Sequence, residues 1–145
     1  MKMTDSININ APIERVFECI ADQEQQKLWV DGLVGIEYTS EWKEDNPVGT
    51  QFKQRLFKGP KKVEYEFEGE ILAYQKPKLY GTRLGDKDFT VEIYYRLEEF
   101  EGGTRLNSEA HMEFSGNIIA RFIGQMAAHH NKQNMKKLIA LAEQI

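Results

Sequence analysis

The chain has 145 residues, of which 41% are hydrophobic and 11% aromatic, and its formal net charge is -4. This is the size and composition of one folded globular domain, and a net negative field makes nucleic acid a poor partner. The N-terminus lacks the apolar run of a signal peptide, and no stretch approaches the roughly 20 apolar residues that span a bilayer. With a single cysteine, which agrees with a reducing compartment, we expect a cytoplasmic protein.

The first 30 residues predict a short strand followed by two short helices. Polar and apolar residues alternate from Ser6 to Asn10, which is typical of a strand with one buried side. Pro12 suits the first turn of a helix, because its φ is already helical and its nitrogen needs no hydrogen-bond partner there. An apolar stripe at helical spacing follows, and residues 21–27 then favour a second short helix ending near Trp29.

From Leu33 to Phe114 the hydrophobic period is two, which predicts antiparallel strands with one solvated face. The clearest case runs from Val63 to Ile71, where four glutamates alternate with apolar residues and glycine. Similar alternation over 89–97 and 105–114 predicts two further strands. The segments 35–43, 50–57 and 78–84 read as strands between turn signals, and Gly102-Gly103 favours a tight hairpin with positive φ. With the first strand, this makes a sheet of about seven strands, large enough to curl.

After Ser115-Gly116 the period becomes helical again and continues to Ile145. Roughly 28 residues at about 1.5 Å each predict a helix of about 40 Å, long enough to cross the whole sheet. No repeat, low-complexity tract or linker interrupts the chain, so we expect residues 1–145 to form a single α+β domain.

This order of elements, together with local sequence motifs, resembles the START-like SRPBCC superfamily, which includes polyketide cyclase/dehydrase-type and lipid-transport proteins. Its opening motif is similar to residues 9–17, in which Ala11-Pro12 precedes Val16-Phe17. Trp29, the segment 34–37, Val48-Gly49-Thr50 and Gly103-Thr104-Arg105-Leu106 resemble its later segments. The resemblance implies a helix-grip fold, in which a curved antiparallel sheet wraps around the long C-terminal helix. It also implies a cavity for a small hydrophobic or aromatic molecule between the two.

A curved sheet and a straight helix cannot touch along their whole length, so the inner side of the sheet is where a ligand would bind. Apolar side chains with a few polar groups are typical of ligand pockets, although the same residues could simply pack as a core. The candidate ligand-binding residues are Trp29, Phe52, Gln54, Leu56, Tyr65, Phe67, Phe89, Tyr95, Ser108, Ala110, Met112, Phe122, Met126 and His130.

Five of these candidates leave alternatives open, and so does Arg83. His130 and Gln54 are candidate polar anchors; His130 could also move a proton, or could be satisfied by a neighbouring side chain. Tyr65 and Tyr95 each carry a hydroxyl that needs a partner if it is buried, whether protein, water or ligand. Trp29 could gate the cavity or only cap the core. Arg83 would anchor a carboxylate ligand if it pointed inward.

Motifs for phosphate loops, zinc or redox chemistry are absent from the sequence, so we expect neither a metal nor a cofactor. The primary hypothesis is a binding or carrier protein for a small hydrophobic or aromatic ligand. One alternative is a polyketide cyclase or dehydrase-type enzyme that uses the same cavity. Another is a protein-binding module like the chaperone activators that share this fold. A homodimer is possible, because the long strands leave edges that a second copy could cover.

Overall fold

The computed structural model describes residues 2–58, 63–86, 89–114 and 118–144, and only the backbone of residues 58, 63, 114 and 118–130. Within these residues, no helix is long and apolar enough to cross a membrane. In chain order, the elements are β1 (Lys2–Ile9), α1 (Ile13–Ala21), α2 (Gln23–Trp29), β2 (Leu33–Tyr38), β3 (Gln51–Lys58), β4 (Val63–Gln75), β5 (Leu79–Gly85), β6 (Phe89–Phe100), β7 (Gly103–Phe114) and α3 (Ile118–Glu143).

All seven strands form one antiparallel sheet in the order β1-β7-β6-β5-β4-β3-β2. Each strand from β2 to β7 therefore lies beside its neighbour in sequence, while β1 closes the row against β7. Register shifts in β2 and β4 mark bulges, which increase local twist and help the sheet to curl. The predicted helix-grip fold is confirmed, with two short helices after the first strand and one long helix at the C-terminus.

Several strand boundaries differ from the predicted ones. Strand β1 begins at Lys2 instead of Ser6, because it pairs with β7 along its whole length. Strand β4 continues through its bulge to Gln75. Strand β2 ends at Tyr38, well before the predicted end at Lys43. Pairing between strands thus extends or shortens elements beyond what the local alternation alone indicates.

The helices pack against one face of the sheet, which we call the inner face. Here α1, Trp29 of α2 and the C-terminal half of α3 join residues from six of the strands in the main buried cluster. A smaller second cluster lies around Leu33, Leu56 and Phe67. Among the described residues, α3 packs mainly against α1, α2 and β1. The long helix is therefore anchored along one side of the sheet.

Two of the motifs that carry the family resemblance meet at one junction. The Thr104 hydroxyl, which is buried, donates a hydrogen bond of 2.8 Å to the Ala11 carbonyl oxygen. Gly103 lies so close to the Ile9 carbonyl that a Cβ there would collide with it. The start of β7 is thus joined to the segment that leads from β1 into α1.

The β6–β7 turn uses positive φ at Glu101 and Gly102. The sequence predicted this conformation for Gly102 and Gly103, so the assignment is correct for Gly102 and wrong for Gly103. Gly103 is already a strand residue, and its need for glycine comes from the close approach of Ile9.

Gly69 makes room on the inner face for the ring of Phe52, which lies opposite it on β3. A Cβ at Gly69 would collide with the Phe52 ring and come within 2.9 Å of Leu84 Cδ2. Phe52 is buried at 4% exposure, so its ring has little freedom to move aside.

We expect Gly69→Ala to lower the free energy of unfolding by about 1–3 kcal/mol, because it overpacks this contact. Gly35→Ala is the matched control. A Cβ at Gly35 meets the guanidinium end of Arg55, a flexible and exposed side chain. Urea unfolding should give nearly wild-type stability for the control, and equal losses in the two variants would contradict the packing assigned to Phe52.

We expect Thr104→Val to destabilise the fold by about 1–3 kcal/mol, because the buried Ala11 carbonyl loses its hydroxyl donor while side-chain shape is kept. Thr4→Val, an equivalent change at an exposed position of β1, is the control. Thermal and urea unfolding measure both variants. If Thr104→Val unfolds like the wild type, the junction does not depend on this hydrogen bond.

Candidate functional site

The strand register places polar and apolar side chains in rows across the inner face. One row contains Tyr80 of β5, Tyr95 of β6, Ser108 of β7 and Asp5 of β1, each opposite the next. Neighbouring strands lie about 4.8 Å apart, so the row crosses about 15 Å of the sheet. Oxygen-bearing side chains therefore lie side by side on a face that is otherwise mostly apolar.

Tyr95 has a buried ring but a hydroxyl without a partner. The residue is 8% exposed, and no described residue forms a hydrogen bond with its hydroxyl. The only unpartnered polar side-chain atoms that are fully buried, among the described residues, are the Oε1 atoms of Gln23 and Gln25. The Tyr95 hydroxyl is not one of them, so its oxygen keeps some accessible surface although the ring is buried.

Burial raises the pKa of Tyr95 above its ordinary value, with no opposing contribution from a partner. The hydroxyl therefore stays protonated across the physiological range and is available as a neutral hydrogen-bond donor and acceptor. A polar group in this state is the type of anchor that orients a ligand in an apolar pocket.

Tyr80, directly opposite Tyr95, is built into the core instead. The side-chain amide of Gln26 donates a bond of 2.8 Å to the Ile20 carbonyl and a longer one of 3.4 Å to the Tyr80 hydroxyl. Burial raises the pKa of Tyr80, and the bond from Gln26 opposes that shift. The two tyrosines thus share a row and a burial class, but within the described part of the chain only the Tyr80 hydroxyl has a hydrogen-bond partner.

Three further polar side chains on the inner face have no hydrogen-bond partner among the described residues. They are the Gln54 amide and the hydroxyls of Thr82 and Ser108. Gln54 and Thr82 are nearly buried, and Ser108 is partly exposed. A closed core would leave these groups unsatisfied, which costs about 1–3 kcal/mol each. The arrangement suits a ligand or water that supplies the missing bonds.

Apolar side chains around these groups also keep some exposure. Leu84, Val91 and Ile93 lie on the inner face of the central strands, yet each is only partly buried, and so is Ala110 of β7. Central strands are normally the best-covered part of a sheet packed on a helix. The inner face of the central strands is therefore incompletely covered at these positions.

Most of the predicted ligand-binding residues that the structure describes lie on this inner face. Phe52, Leu56, Phe67 and Met112 are buried there, and Phe89 is partly buried with its ring 5.0 Å from that of Phe67. Three predicted residues have side chains outside the described part of the chain, although their backbone belongs to α3; they are Phe122, Met126 and His130.

Tyr65 differs from the expected inward position. It shares the register of the inner face, but its side chain is 45% exposed and stacks on Phe67 with ring centroids 6.2 Å apart. Its position near the start of β4, at the margin of the sheet, leaves one side of the ring uncovered. Tyr65 therefore borders the inner face instead of lining its interior.

Arg83 and Trp29 are placed without ambiguity. Arg83 points outward, where its Nε lies 3.1 Å from Glu92, so it is not an inward anchor for an anion. Trp29 is buried, donates its indole N–H to the Cys19 carbonyl at 2.7 Å, and meets the Tyr95 ring edge-on. This is the geometry of a residue that caps the core.

Sequence reasoning missed Asp5 and Thr82. Asp5 was missed because the first strand was predicted to begin at Ser6, although the alternation of Ile7 and Ile9 extends back through Asp5 to Met3. Thr82 lies in a strand whose two faces were equally plausible from sequence. Pairing with Ile93 and Ile71 assigns Thr82 to the inner face.

The outer face of β1, β7 and β6 carries an open depression of about 530 Å³, lined by Thr4, Asp5, Ser6, Arg96, Asn107, Ser108 and Glu109. Arg96 and Glu109 are already paired there, since Glu109 contacts Lys2 at 2.9 Å and Arg96 at 3.4 Å. Asp5 and Ser108 border this depression as well as the inner face, because they lie on the strands at the edge of the sheet. The inner face is the better candidate site, because Tyr95, Gln54 and Thr82 lack partners among the described residues.

Several solved structures share this fold. The protein CV1439 from Chromobacterium violaceum superposes with a TM-score of 0.78 at 18% identity, covering 100% of this chain and 99% of that one. Ara h 8.0201 gives a TM-score of 0.70 at 13% identity, with 97% and 98% covered. The di-domain ARO/CYC BexL from the BE-7585A biosynthetic pathway gives 0.75 at 12% identity, covering 100% of this chain and 50% of that one.

Comparison with curated protein sequences gives no match. The family model for polyketide cyclase/dehydrase and lipid transport proteins, in contrast, matches residues 1–143, which is almost the whole chain. This agrees with the helix-grip architecture and with the motif residues that meet at the junction of β1 and β7. The chain therefore belongs to the polyketide cyclase/dehydrase and lipid transport family.

Proposed function

We propose that this protein binds a small hydrophobic or aromatic molecule on the inner face of its sheet. The observation that carries the proposal is the Tyr95 hydroxyl, which is protonated, unpartnered among the described residues and still accessible although its ring is buried. A residue used only for packing would gain nothing from an unsatisfied hydroxyl at this position. A ligand oxygen would satisfy it.

Apolar contact supplies most of the binding free energy in this proposal. Leu84, Val91, Ile93 and Ala110 offer partly exposed apolar surface, and covering it gains roughly 25 cal/mol per Å². Tyr95, Ser108, Thr82 and Gln54 then fix the orientation of the ligand through hydrogen bonds. The family membership supports this division, since its description includes lipid transport.

A second candidate is catalysis in the same space, of the cyclase or dehydrase type that the family description also names. The neutral Tyr95 hydroxyl favours it, because such a donor can polarise a carbonyl oxygen. Time courses with a polyketone substrate would distinguish the two functions. Turnover that is lost in Tyr95→Phe while binding is retained would favour catalysis, and unchanged substrate would favour carriage alone.

We expect Tyr95→Phe to weaken the binding of 2-naphthol by about 2- to 12-fold, which corresponds to one hydrogen bond of about 0.5–1.5 kcal/mol. The binding of naphthalene, which has no hydroxyl, should not change. Stability should be equal to the wild type or slightly higher, because the removed hydroxyl has no partner among the described residues. Calorimetric titration and urea unfolding measure the two quantities.

Tyr80→Phe is the matched control, because Tyr80 lies opposite Tyr95 and its hydroxyl is bonded to Gln26. It should lose stability by about 0.5–1.5 kcal/mol and keep wild-type affinity for 2-naphthol. Equal effects of the two variants on affinity would contradict the assignment of Tyr95 as the ligand anchor.

Trp29 provides a direct optical test, because its ring lies edge-on to Tyr95 at 6.4 Å. The chain has two tryptophans, and Trp42 lies in a separate aromatic group with Tyr38 and Tyr74. In a Trp42→Phe background, adding 2-naphthol should change the fluorescence emission of Trp29, and this change should saturate as the concentration of 2-naphthol rises. If no spectral change and no calorimetric heat accompany addition of 2-naphthol or naphthalene, the proposed function is wrong.

A further inference from the structure

Asp5 places a carboxylate on the inner face. Along β1, side chains alternate between exposed and partly buried, and Asp5 falls with Met3, Ile7 and Ile9 on the side that faces the helices. Asp5 lies opposite Ser108, which in turn lies opposite Tyr95. The carboxylate therefore ends the row of oxygen groups that forms the candidate site.

Asp5 has no basic partner among the described residues. Its Oδ1 atom accepts a hydrogen bond of 2.9 Å from the neighbouring Ser6 amide, and no described Lys, Arg or His forms an ion pair with it. The nearby basic side chains belong to the outer face: Lys2 and Arg96 are both paired with Glu109 there. Arg105 contacts Asn8 and the Phe100 ring.

The same separation of charge holds across the rest of the sheet. Arg55 pairs with Glu64, Lys53 with Glu66, and Arg83 with Glu92, all on the outer face. Glu99, near the end of β6, falls on the same side by register but is exposed. Asp5 is the one partly buried charged residue that the register assigns to the middle of a strand on the inner face within the described residues.

We propose that Asp5, Ser108 and Tyr95 together select an uncharged ligand that carries both a hydrogen-bond donor and a carbonyl or hydroxyl acceptor, and that they reject ligands ending in a carboxylate. Tyr95 donates to the acceptor, Asp5 accepts from the donor, and Ser108 lies between them and can do either. A ligand carboxylate would meet the repulsion of Asp5 without a compensating cation among the described side chains of the inner face. The inference rests on the proposed function, because it describes the chemistry of that same site.

The test compares 2-naphthamide with 2-naphthoate, two probes of nearly the same shape that differ in charge. Calorimetric titration of the wild type at neutral pH should show at least about a 10-fold preference for the amide, the size expected for a like-charge contact in a partly desolvated site. In Asp5→Asn this preference should fall by about 10-fold, mainly because 2-naphthoate binds more tightly.

Asp45→Asn is the charge-matched control, since Asp45 lies in the exposed turn between β2 and β3. It removes the same formal charge and should leave the preference unchanged. Thermal unfolding verifies that Asp5→Asn is folded, and Asp5→Ser provides a second variant without the charge. If the preference for 2-naphthamide changes equally in the Asp5 and Asp45 variants, it comes from the overall charge of the protein, and the inference is overturned.

The possible failures are distinguishable. If both probes bind and 2-naphthoate binds as tightly as 2-naphthamide in the wild type, the charge selection is wrong while the proposed binding function stands. If neither probe binds, nor 2-naphthol or naphthalene, the binding function itself is wrong and this inference is lost with it.

Discussion

The antiparallel register between β1, β7 and β6 is the constraint on which the candidate site depends. Side chains alternate between the two faces with a period of two, so a slip of one residue would move Tyr95, Ser108 or Asp5 to the outer face. The tight turn at Glu101 and Gly102 sets this register from one side. The bond from Thr104 to the Ala11 carbonyl holds the adjoining ends of β1 and β7 together. A structural hydrogen bond thus determines which groups a ligand meets.

The two opposed tyrosines show how one residue type takes two roles. Tyr80 is bonded to Gln26, which in turn bonds to the end of α1, so its hydroxyl joins helices to sheet. Tyr95 is supported by the edge of Trp29, and the hydroxyl has no described partner. Burial raises the pKa of both, so neither ionises, and only the hydrogen-bond partner distinguishes them. In the proposed function, stability depends on the Tyr80 hydroxyl and ligand recognition on the Tyr95 hydroxyl of the same row.

The distribution of charge links the outer surface to the chemistry of the inner face. Basic side chains of the sheet pair with glutamates on the outer face, and each such exposed pair contributes little to stability. They also keep these basic side chains away from the inner face, where Asp5 is partly buried. The proposed selection against ligand carboxylates depends on this separation of charge.

The sequence by itself determined the class of fold, because hydrophobic periods of two and of 3.6 residues depend only on which side of each element is buried. It also identified Tyr95 and Ser108 as residues of the inner face, since they fall within strongly alternating segments, and it named Gln54 in a neighbouring strand as a further inward-facing residue. It did not determine that Thr82 and Asp5 lie on the inner face, and it did not determine the exposure of Tyr65. Strand β5 has two equally plausible faces, the first strand extends only because β7 pairs with it, and Tyr65 lies at a margin that no local pattern marks. Only the tertiary structure, by bringing distant strands into register, decided which polar groups share a row and which of them lack a partner.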